Sequence, residues 1–439
     1  MRGWGGSYRC LTQWRQTLLG ASITLLAMNA RASTPPDADP AAQIRAIADT
    51  CVKCGLCIER CPSYRVLQRE QDSPRGRIAL ADAMARGQLS PDDPGALAAL
   101  DRCLNCGTCT RVCPADVDYA RLIDLTRATF PAPQPVARRG ARWLTRHRNV
   151  LRALRPVARV AARSALLRRV LPNATPLRDA LAACSAERDD TPVQAFTPAI
   201  GPRRGSVALF RGCVAGVLDA DTQQAAVRVL VRLGFDVHAP GGDHCCGAFD
   251  RHHGYATQAT ERAGHARTRY RALPVEQVLG TVTGCHAQLR DAVFAGTSLP
   301  FDDLFGFLDR DAVLPTLSHR PVPRRVMLHV PCTQRDVQGD EAAVMRVLAR
   351  IPDLDVVRLP EEPACCGAAG TYFVDHPQVA NALRAERVTQ IEAAATNEVL
   401  TSNVGCRMHL AAGLIAAGSA AAVVHPITLL DLSLRESAT

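Results

Sequence analysis

The chain has 439 residues, of which 47% are hydrophobic and only 4% aromatic. This composition is typical of a globular protein of two or three domains and excludes a disordered chain. The net charge is +10, and twelve Arg with no Asp or Glu lie between Pro131 and Arg178. The 18 cysteines fall in tight runs and adjacent pairs. Such spacing indicates metal ligation in a reducing compartment rather than a disulfide framework.

Residues 1–40 are either a leader or an incorrectly assigned start. An uncharged run from Gln16 to Ala30 precedes Ala30-Arg31-Ala32, which resembles a signal peptide. Export would thread an unfolded chain that had lost its metal centres, so we favour translation from Met28. A cytoplasmic protein is therefore expected.

Residues 41–130 contain two runs with the spacing Cys-x2-Cys-x2-Cys-x3-Cys-Pro. This is the bacterial-ferredoxin pattern, in which three cysteines bind one [4Fe–4S] cluster and the fourth binds the other. It predicts two clusters in one helical domain, whereas two zinc sites more often use separated Cys-x2-Cys pairs. The predicted ligand sets are Cys51, Cys54, Cys57 and Cys113 for one cluster, and Cys103, Cys106, Cys109 and Cys61 for the second.

Residues 131–205 form a connector rich in Arg, Pro and Ala. Apolar positions from Ala141 to Leu171 recur at helical spacing, and Pro156 is expected to break or kink that helix. A basic amphipathic helix indicates a membrane surface or an acidic partner, and a solvated face is the alternative. No nucleic-acid binding is expected, because no nucleic-acid fold and few aromatic residues accompany the Arg. Cys10 and Cys184 belong to no pattern.

Residues 206–310 and 325–435 are two copies of one unit, here called the first and second repeats. Their cysteines correspond at offsets of 119, 120 and 121 residues for the first position, the doublet and the last position. Short apolar strands such as 207–210 and 326–330 alternate with helical stretches, which predicts βαβ units and short parallel sheets. Each cysteine follows a strand, at the sheet edge where α/β proteins bind ligands.

Each repeat offers one cysteine, an adjacent pair followed by Gly, and a fourth cysteine. These groups predict either a further metal centre, which in the second repeat would be an iron–sulfur centre, or a buried structural cysteine cluster. The second repeat adds an imidazole and is the stronger candidate. The candidate ligands are Cys213, Cys245, Cys246 and Cys285 in the first repeat, and Cys332, Cys365, Cys366, Cys406 and His409 in the second.

Taken together, the chain resembles the iron–sulfur subunits of bacterial glycolate oxidase. Relatives in the same family include the iron–sulfur subunits of anaerobic glycerol-3-phosphate dehydrogenase and lactate-utilisation complexes, and the catalytic subunit of heterodisulfide reductase. The resemblance covers roughly residues 45–435. It rests on both cysteine patterns and on the segments 73–78 (SPRGRI), 102–106 (RCLNC), 365–372 (CCGAAGTY) and 403–409 (NVGCRMH). The fullest form of the family motif ends in Cys-x2-Cys and can hold a noncubane [4Fe–4S] centre. Here Gln288 and His409 stand at the final position.

The resemblance implies a multidomain α+β and α/β protein with a dicluster domain followed by two Cys-Cys-Gly domains. It also implies an electron-transfer subunit that receives electrons from a flavin-bearing partner and passes them towards a quinone or another respiratory acceptor, peripheral to the inner face of the cytoplasmic membrane. No Gly-x-Gly-x-x-Gly element follows a strand, so the chain's own flavin or nicotinamide is not expected. No side chain is assigned an acid–base role. The alternatives are a heterodisulfide-reductase-like catalytic subunit, a glycerol-3-phosphate or lactate dehydrogenase subunit, and a non-redox zinc-binding module.

Overall fold

The computed structural model describes residues 39–163, 193–242, 245–361, 365–394 and 396–434. Residues 1–38, Cys184 and the connector from 164 to 192 lie outside this part, as do the expectations that concern them. The first described domain is helical. Its helices are α1 Pro40–Asp49, α2 Pro62–Leu67, α3 Pro74–Ala85, α4 Pro94–Asp101, α5 Thr108–Arg111 and α6 Tyr119–Thr129.

Sequence signals at the helix N-termini explain why this domain is built from short helices. α1 to α4 all begin at a proline, which has the backbone φ of a first helical residue and lacks the N–H that would otherwise be unpaired there. The side chains of Asp39, Ser73 and Asp93 cap α1, α3 and α4 by accepting backbone N–H groups. The helices enclose a core that includes Ile44, Leu122 and Ile123, all fully buried.

Two helices of the Arg-rich connector follow, α7 Val136–Arg146 and α8 Arg148–Arg163. α8 continues through Pro156, so the helix is not broken there. No helix in the described residues combines the length and the apolar character that crossing a bilayer requires.

The first repeat folds around a five-stranded sheet in the order β1-β3-β2-β4-β5. All pairs are parallel except β1 with β3. The strands are β1 Phe196–Thr197, β2 Gly205–Phe210, β3 Phe235–His238, β4 Gln277–Gly280 and β5 Phe301–Asp303. The helices are α9 Ala215–Leu218, α10 Ala220–Arg232, α11 Ala248–His252, α12 Ala256–Arg271, α13 Thr283–Gln288 and α14 Leu304–Arg310.

The second repeat folds around a four-stranded, fully parallel sheet in the order β7-β6-β8-β9. Its strands are β6 Arg324–Leu328, β7 Leu354–Arg358, β8 Glu398–Leu400 and β9 Ala422–Val424. Its helices are α15 Glu341–Leu348, α16 Tyr372–Asp375, α17 Pro377–Ala393, α18 Val404–Ala416 and α19 Pro426–Ser433. In both sheets the strand that precedes the first cysteine has neighbours on both sides. The predicted fold class is confirmed.

The two repeats share one hydrophobic core rather than forming separate bodies. Leu209 and Leu230 of the first repeat belong to the same buried cluster as Val344 and Leu430 of the second. Burial of this continuous apolar surface stabilises the pair. At the contact, Thr283 of the first repeat meets Asn403 of the second, with the Asn403 amide donating to the Thr283 hydroxyl at 3.4 Å.

Candidate metal centres

Both ferredoxin-type loops turn through two residues with positive φ. These are Lys53 (φ 57°) and Gly55 (φ 85°) in the first loop, and Asn105 (φ 48°) and Gly107 (φ 79°) in the second. Each pair flanks the second cysteine of its run. Left-handed turns at these points fold the run back on itself, as three thiols of a short segment require to reach one centre.

The first predicted ligand set lies at the surface. Cys54 is exposed, and Cys51, Cys57 and Cys113 are half-buried. Burial raises the pKa of Cys57, and the neighbouring thiols of Cys51 and Cys113 raise it further. The fourth cysteine of the second run therefore lies beside the first run, as the predicted crossing requires.

The second predicted ligand set lines one partly open cavity. Cys61, Cys103, Cys106 and Cys109 all line it. Burial raises the pKa of Cys109, and the thiols of Cys106, Cys103 and Cys61 add to the effect. Four thiols that line one cavity fit a thiolate-ligated [4Fe–4S] cube.

The segment 73–78, Ser-Pro-Arg-Gly-Arg-Ile, places a cation at this cavity. The Ser73 hydroxyl caps α3 by accepting the Gly76 N–H at 2.9 Å. Gly76 is required because a Cβ there would lie 2.0 Å from the carbonyl oxygen of Glu70. Arg77, 1% exposed, donates to the Ser63 hydroxyl at 3.0 Å and to the Cys61 sulfur at 3.8 Å. Arg77 also pairs with the buried carboxylate of Asp72 at 3.4 Å, and its charge would offset part of the negative charge of a cluster held by these thiols.

The Cys-Cys-Gly turn has the same geometry in both repeats. Gly247 has φ 91° and Gly367 has φ 86°. A Cβ at either glycine would lie 2.6 Å from a carbonyl oxygen of the next long helix, Ala259 in α12 and Ala380 in α17. Glycine is needed here for its positive φ and also for the close approach of the helix.

In the first repeat the four predicted cysteines are neighbours. The Sγ atoms of Cys213 and Cys245 are 3.7 Å apart. Hydrogen bonds from Cys213 and Cys246 lower the pKa of the Cys245 thiol. The thiol of Cys246 in turn pairs with that of Cys285.

The second repeat has the same order of paired thiols. The Sγ atoms of Cys366 and Cys406 are 2.9 Å apart. Hydrogen bonds from Cys332 and Cys366 lower the pKa of the Cys365 thiol. His329, Cys366 and Cys406 are buried and offer ligand atoms that all lie within 4.8 Å of one another.

The sequence patterns single out His409 and not His329. The His409 Nε2 lies 3.3 Å from the carbonyl oxygen of Ala380, and its ring packs against Phe373 with centroids 5.4 Å apart. Burial lowers the pKa of His409 to about 4. The signal that points to His329 is its position directly after β6, three residues before Cys332.

The second ferredoxin loop packs directly against the second repeat. Burial raises the pKa of Cys106, and the thiol of Cys365 raises it further. Both cysteines belong to one apolar cluster with Leu104. Asp336 fixes the contact by accepting from the Thr108 hydroxyl at 2.6 Å.

The Arg of α7 bind the domains together, a role that the sequence did not reveal. Arg138, 2% exposed, pairs with Asp101 of the helical domain at 2.8 Å and with Asp375 of the second repeat at 2.7 Å. Arg142 pairs with Asp250 of the first repeat at 2.6 Å. One part of the predicted basic face is therefore turned inward.

Comparison with known proteins agrees with this architecture. Residues 47–117 match the 4Fe-4S dicluster domain family, and residues 207–290 and 326–411 match the Cysteine-rich domain family. The glycolate oxidase iron-sulfur subunit of Escherichia coli (strain K12) is 32% identical in an alignment of 393 residues that covers 83% of this chain and 90% of that protein.

Two further relatives cover most of the chain. The Bacillus subtilis (strain 168) protein named "Probable glycolate oxidase iron-sulfur subunit" is 28% identical over 83% of this chain and 88% of its own length. A fumarate reductase (CoM/CoB) subunit from Methanothermobacter marburgensis is 26% identical over 87% of this chain and 72% of its own length.

The dicluster domain, the two cysteine-rich domains and the full-length similarity agree with one another. The protein carries [4Fe–4S] clusters and is an iron–sulfur electron-transfer subunit of an oxidoreductase. The chain belongs to the family of glycolate oxidase iron–sulfur subunits.

Proposed function

We propose that this chain is the electron-transfer subunit of a glycolate oxidase complex. It would receive electrons from a flavin-binding partner subunit and pass them towards a quinone or another respiratory acceptor. The similarity to the Escherichia coli subunit supports the choice of glycolate over other donors. A 2-hydroxy acid gives up two electrons, and a flavin is the cofactor class that can release them singly to iron–sulfur centres.

The ligand sets follow the crossed arrangement of bacterial ferredoxins. One [4Fe–4S] cluster would be held by Cys51, Cys54, Cys57 and Cys113, and the other by Cys103, Cys106, Cys109 and Cys61. The observation that carries this assignment is the cavity lined by Cys61 together with three thiols of the second run. Cys57 also contributes to the electrostatic environment of Cys109, which supports close spacing of the two centres.

The surface around the first loop suits the electron donor. Cys54 is exposed between Val52, 68% exposed, and Leu56, 60% exposed. Exposed apolar residues beside a redox centre favour docking of a protein partner. The cluster of the second ligand set would form the other end of the electron path, where Cys106 approaches Cys365 of the second repeat. Electrons would therefore enter at the first loop and leave near the second.

The outward face of α7 and α8 would hold the subunit at the inner face of the cytoplasmic membrane. Val136 is 74% exposed, Trp143 49% and Leu154 45%. Exposed Arg, including Arg139 and Arg152, accompany them. Apolar side chains between Arg on one helical face are typical of attachment to an anionic lipid surface.

The experiment is anaerobic purification of the full chain with its flavin-bearing partner, followed by addition of glycolate, lactate or glycerol 3-phosphate. Glycolate is expected to reduce the flavin and then the clusters, seen as bleaching and as an EPR signal. In Cys61→Ser the flavin should still be reduced while cluster reduction and transfer to a quinone analogue fall. Reduction of a disulfide acceptor by this chain without a flavin subunit would contradict the proposal, as would zinc in place of iron.

Membrane attachment has its own test. The complex should sediment with vesicles that contain anionic lipid and lose this binding in Trp143→Ala combined with Leu154→Ala. Equal binding by the variant, or binding that does not depend on anionic lipid, would contradict the attachment.

A further inference from the structure

The ligand atoms of the second repeat are spaced for a single ion. Those of His329, Cys366 and Cys406 lie within 4.8 Å of one another, and all three residues are buried. Around a tetrahedral zinc ion with Zn–S of about 2.3 Å and Zn–N of about 2.1 Å, neighbouring ligand atoms stand about 3.5 to 4 Å apart. The three atoms can reach such an arrangement with small side-chain movements.

The same spacing does not suit a cubane. Thiolates bound to different irons of a [4Fe–4S] cube occupy separate corners and stand farther apart. The four thiols of the second ferredoxin set line a shared cavity. Within the described part of the chain, its thiols form no group of the compact kind. The group of His329, Cys366 and Cys406 is therefore more compact than the thiols of the second ferredoxin set.

We propose that the second repeat binds one divalent ion of the zinc class through His329, Cys366 and Cys406, with Cys365 as the fourth ligand. Cys365 lies beside this group, since its thiol pairs with those of Cys332 and Cys366 and interacts electrostatically with His329. Its sulfur is not within 4.8 Å of all three ligand atoms, so its side chain would turn towards the ion on binding. Three sulfurs and one imidazole nitrogen form a common closed zinc site.

The surroundings of His329 orient the ring as a ligand. Its Nδ1 lies 3.0 Å from the hydroxyl of Thr401, so Nε2 is the nitrogen left for the metal. Its backbone N–H donates to the carbonyl of Leu400 at 2.9 Å, which extends β6 alongside β8. Arg387, 1% exposed, interacts electrostatically with the ring and would offset the negative charge of three thiolates around a divalent ion.

The first repeat lacks this histidine. The residue equivalent to His329, at the offset of 119 that relates Cys213 to Cys332, is Phe210. Phe210 is 2% exposed, and its ring packs against Tyr270 with centroids 5.4 Å apart. An apolar ring cannot ligate a metal. The two copies have therefore diverged, and the ion is assigned to the second repeat only.

This ion would act beside the electron path rather than on it. It would join the end of β6, the Cys-Cys-Gly turn and α18 at a point next to Cys106. Zinc has no redox chemistry, so it would not itself carry electrons. The inference goes beyond the proposed function, which it neither requires nor excludes.

The test is metal analysis of the full chain, purified anaerobically. We expect about eight irons per chain, as two [4Fe–4S] clusters require, and about one zinc-class ion. Zinc-edge X-ray absorption should show sulfur with one nitrogen in the first shell. His329→Phe, which introduces the residue of the first repeat, should lower zinc occupancy at least tenfold and leave the iron and the EPR signals unchanged. Cys285→Ser is the matched control and should retain both metals.

His329→Asn provides a second variant of smaller change and should also lose the ion. Retention of the cluster EPR signals in either variant shows that the chain has folded. Undiminished zinc in both His329 variants would overturn the proposal. So would iron well above eight per chain with the excess lost in Cys406→Ser, because that result means an iron–sulfur centre. Absence of iron from the wild-type chain would instead count against the proposed electron-transfer function.

Discussion

The guanidinium of Arg77 donates to the sulfur of Cys61 at 3.8 Å, with both residues buried. Arg77 is thus the charged group placed to stabilise the reduced, more negative state of the cluster that we assign to Cys61, Cys103, Cys106 and Cys109. It is held there by hydrogen bonds to Ser63 and to the carbonyl oxygen of Ala99 at 2.7 Å.

Replacement of Arg77 is expected to make that cluster harder to reduce. In Arg77→Gln the midpoint potential should become more negative by about 60 mV for each 1.4 kcal/mol of lost charge stabilisation, since one electron is transferred. EPR-monitored redox titration measures the shift. Arg86→Gln is the control, because Arg86 is exposed and pairs with Asp82 and Asp49. Equal potentials in both variants would show that Arg77 does not act on the cluster.

Arg138 is expected to be the most costly of the connector Arg to remove. Arg138→Ala leaves the largely buried carboxylates of Asp101 and Asp375 without this partner, which typically costs about 3 kcal/mol or more. Urea unfolding of matched samples measures the loss. Arg139→Ala, at the exposed neighbouring position, should change stability by less than about 0.5 kcal/mol. A similar loss of stability in the two variants would contradict the prediction that Arg138 contributes more than its exposed neighbour.

The Cys-Cys-Gly glycine is expected to tolerate no side chain. Gly367→Ala combines a positive φ with a clash 2.6 Å from the Ala380 carbonyl oxygen. We expect a loss of about 3 kcal/mol, seen as a fall of several degrees in Tm. Gly418→Ala is the control, because Gly418 has φ 76° but nothing within 4 Å of an added Cβ. It should show only the backbone strain of about 1 kcal/mol. A control loss as large as that of Gly367→Ala would disprove the role of the clash.

His425 is expected to make the protein less stable in acid. Its Nδ1 accepts the Ile427 N–H at 3.2 Å and its Nε2 lies 3.1 Å from the carbonyl oxygen of Thr281, so the folded state holds the neutral ring. Burial lowers its pKa to about 3. The unfolded chain binds a proton near pH 6.5, so stability is present above that pH and is lost as the pH falls towards 3.

From pH 7 to pH 5 this one group should cost about 2 kcal/mol. The measurement compares urea midpoints at both pH values in the wild type and in His425→Asn. Asn can still accept the Ile427 N–H but does not titrate, so its midpoint should fall less. Any loss of clusters in acid affects the wild type and the variant alike, so the difference between them reports on His425. A pH dependence that is unchanged in the variant would contradict the assignment.

Much of this protein could be predicted from local patterns. Cysteine spacing indicates the ferredoxin-type domain because three ligands two residues apart must come from one tight loop. The alternation of short strands and helices indicates the two repeats, and the strand runs 207–210 and 326–330 lie on β2 and β6 with ends within two residues. These features depend on neighbours along the chain, so the sequence is sufficient for them.

Only the tertiary structure decided which distant groups meet. Arg77 reaches Cys61, Arg138 joins Asp101 to Asp375, and Cys106 approaches Cys365 across a domain boundary. His329 lies beside Cys366 and Cys406 although it is far from both along the chain, because the end of β6 lies beside α18 in space. Such contacts depend on how helices and sheets pack over hundreds of residues. No local spacing encodes that packing.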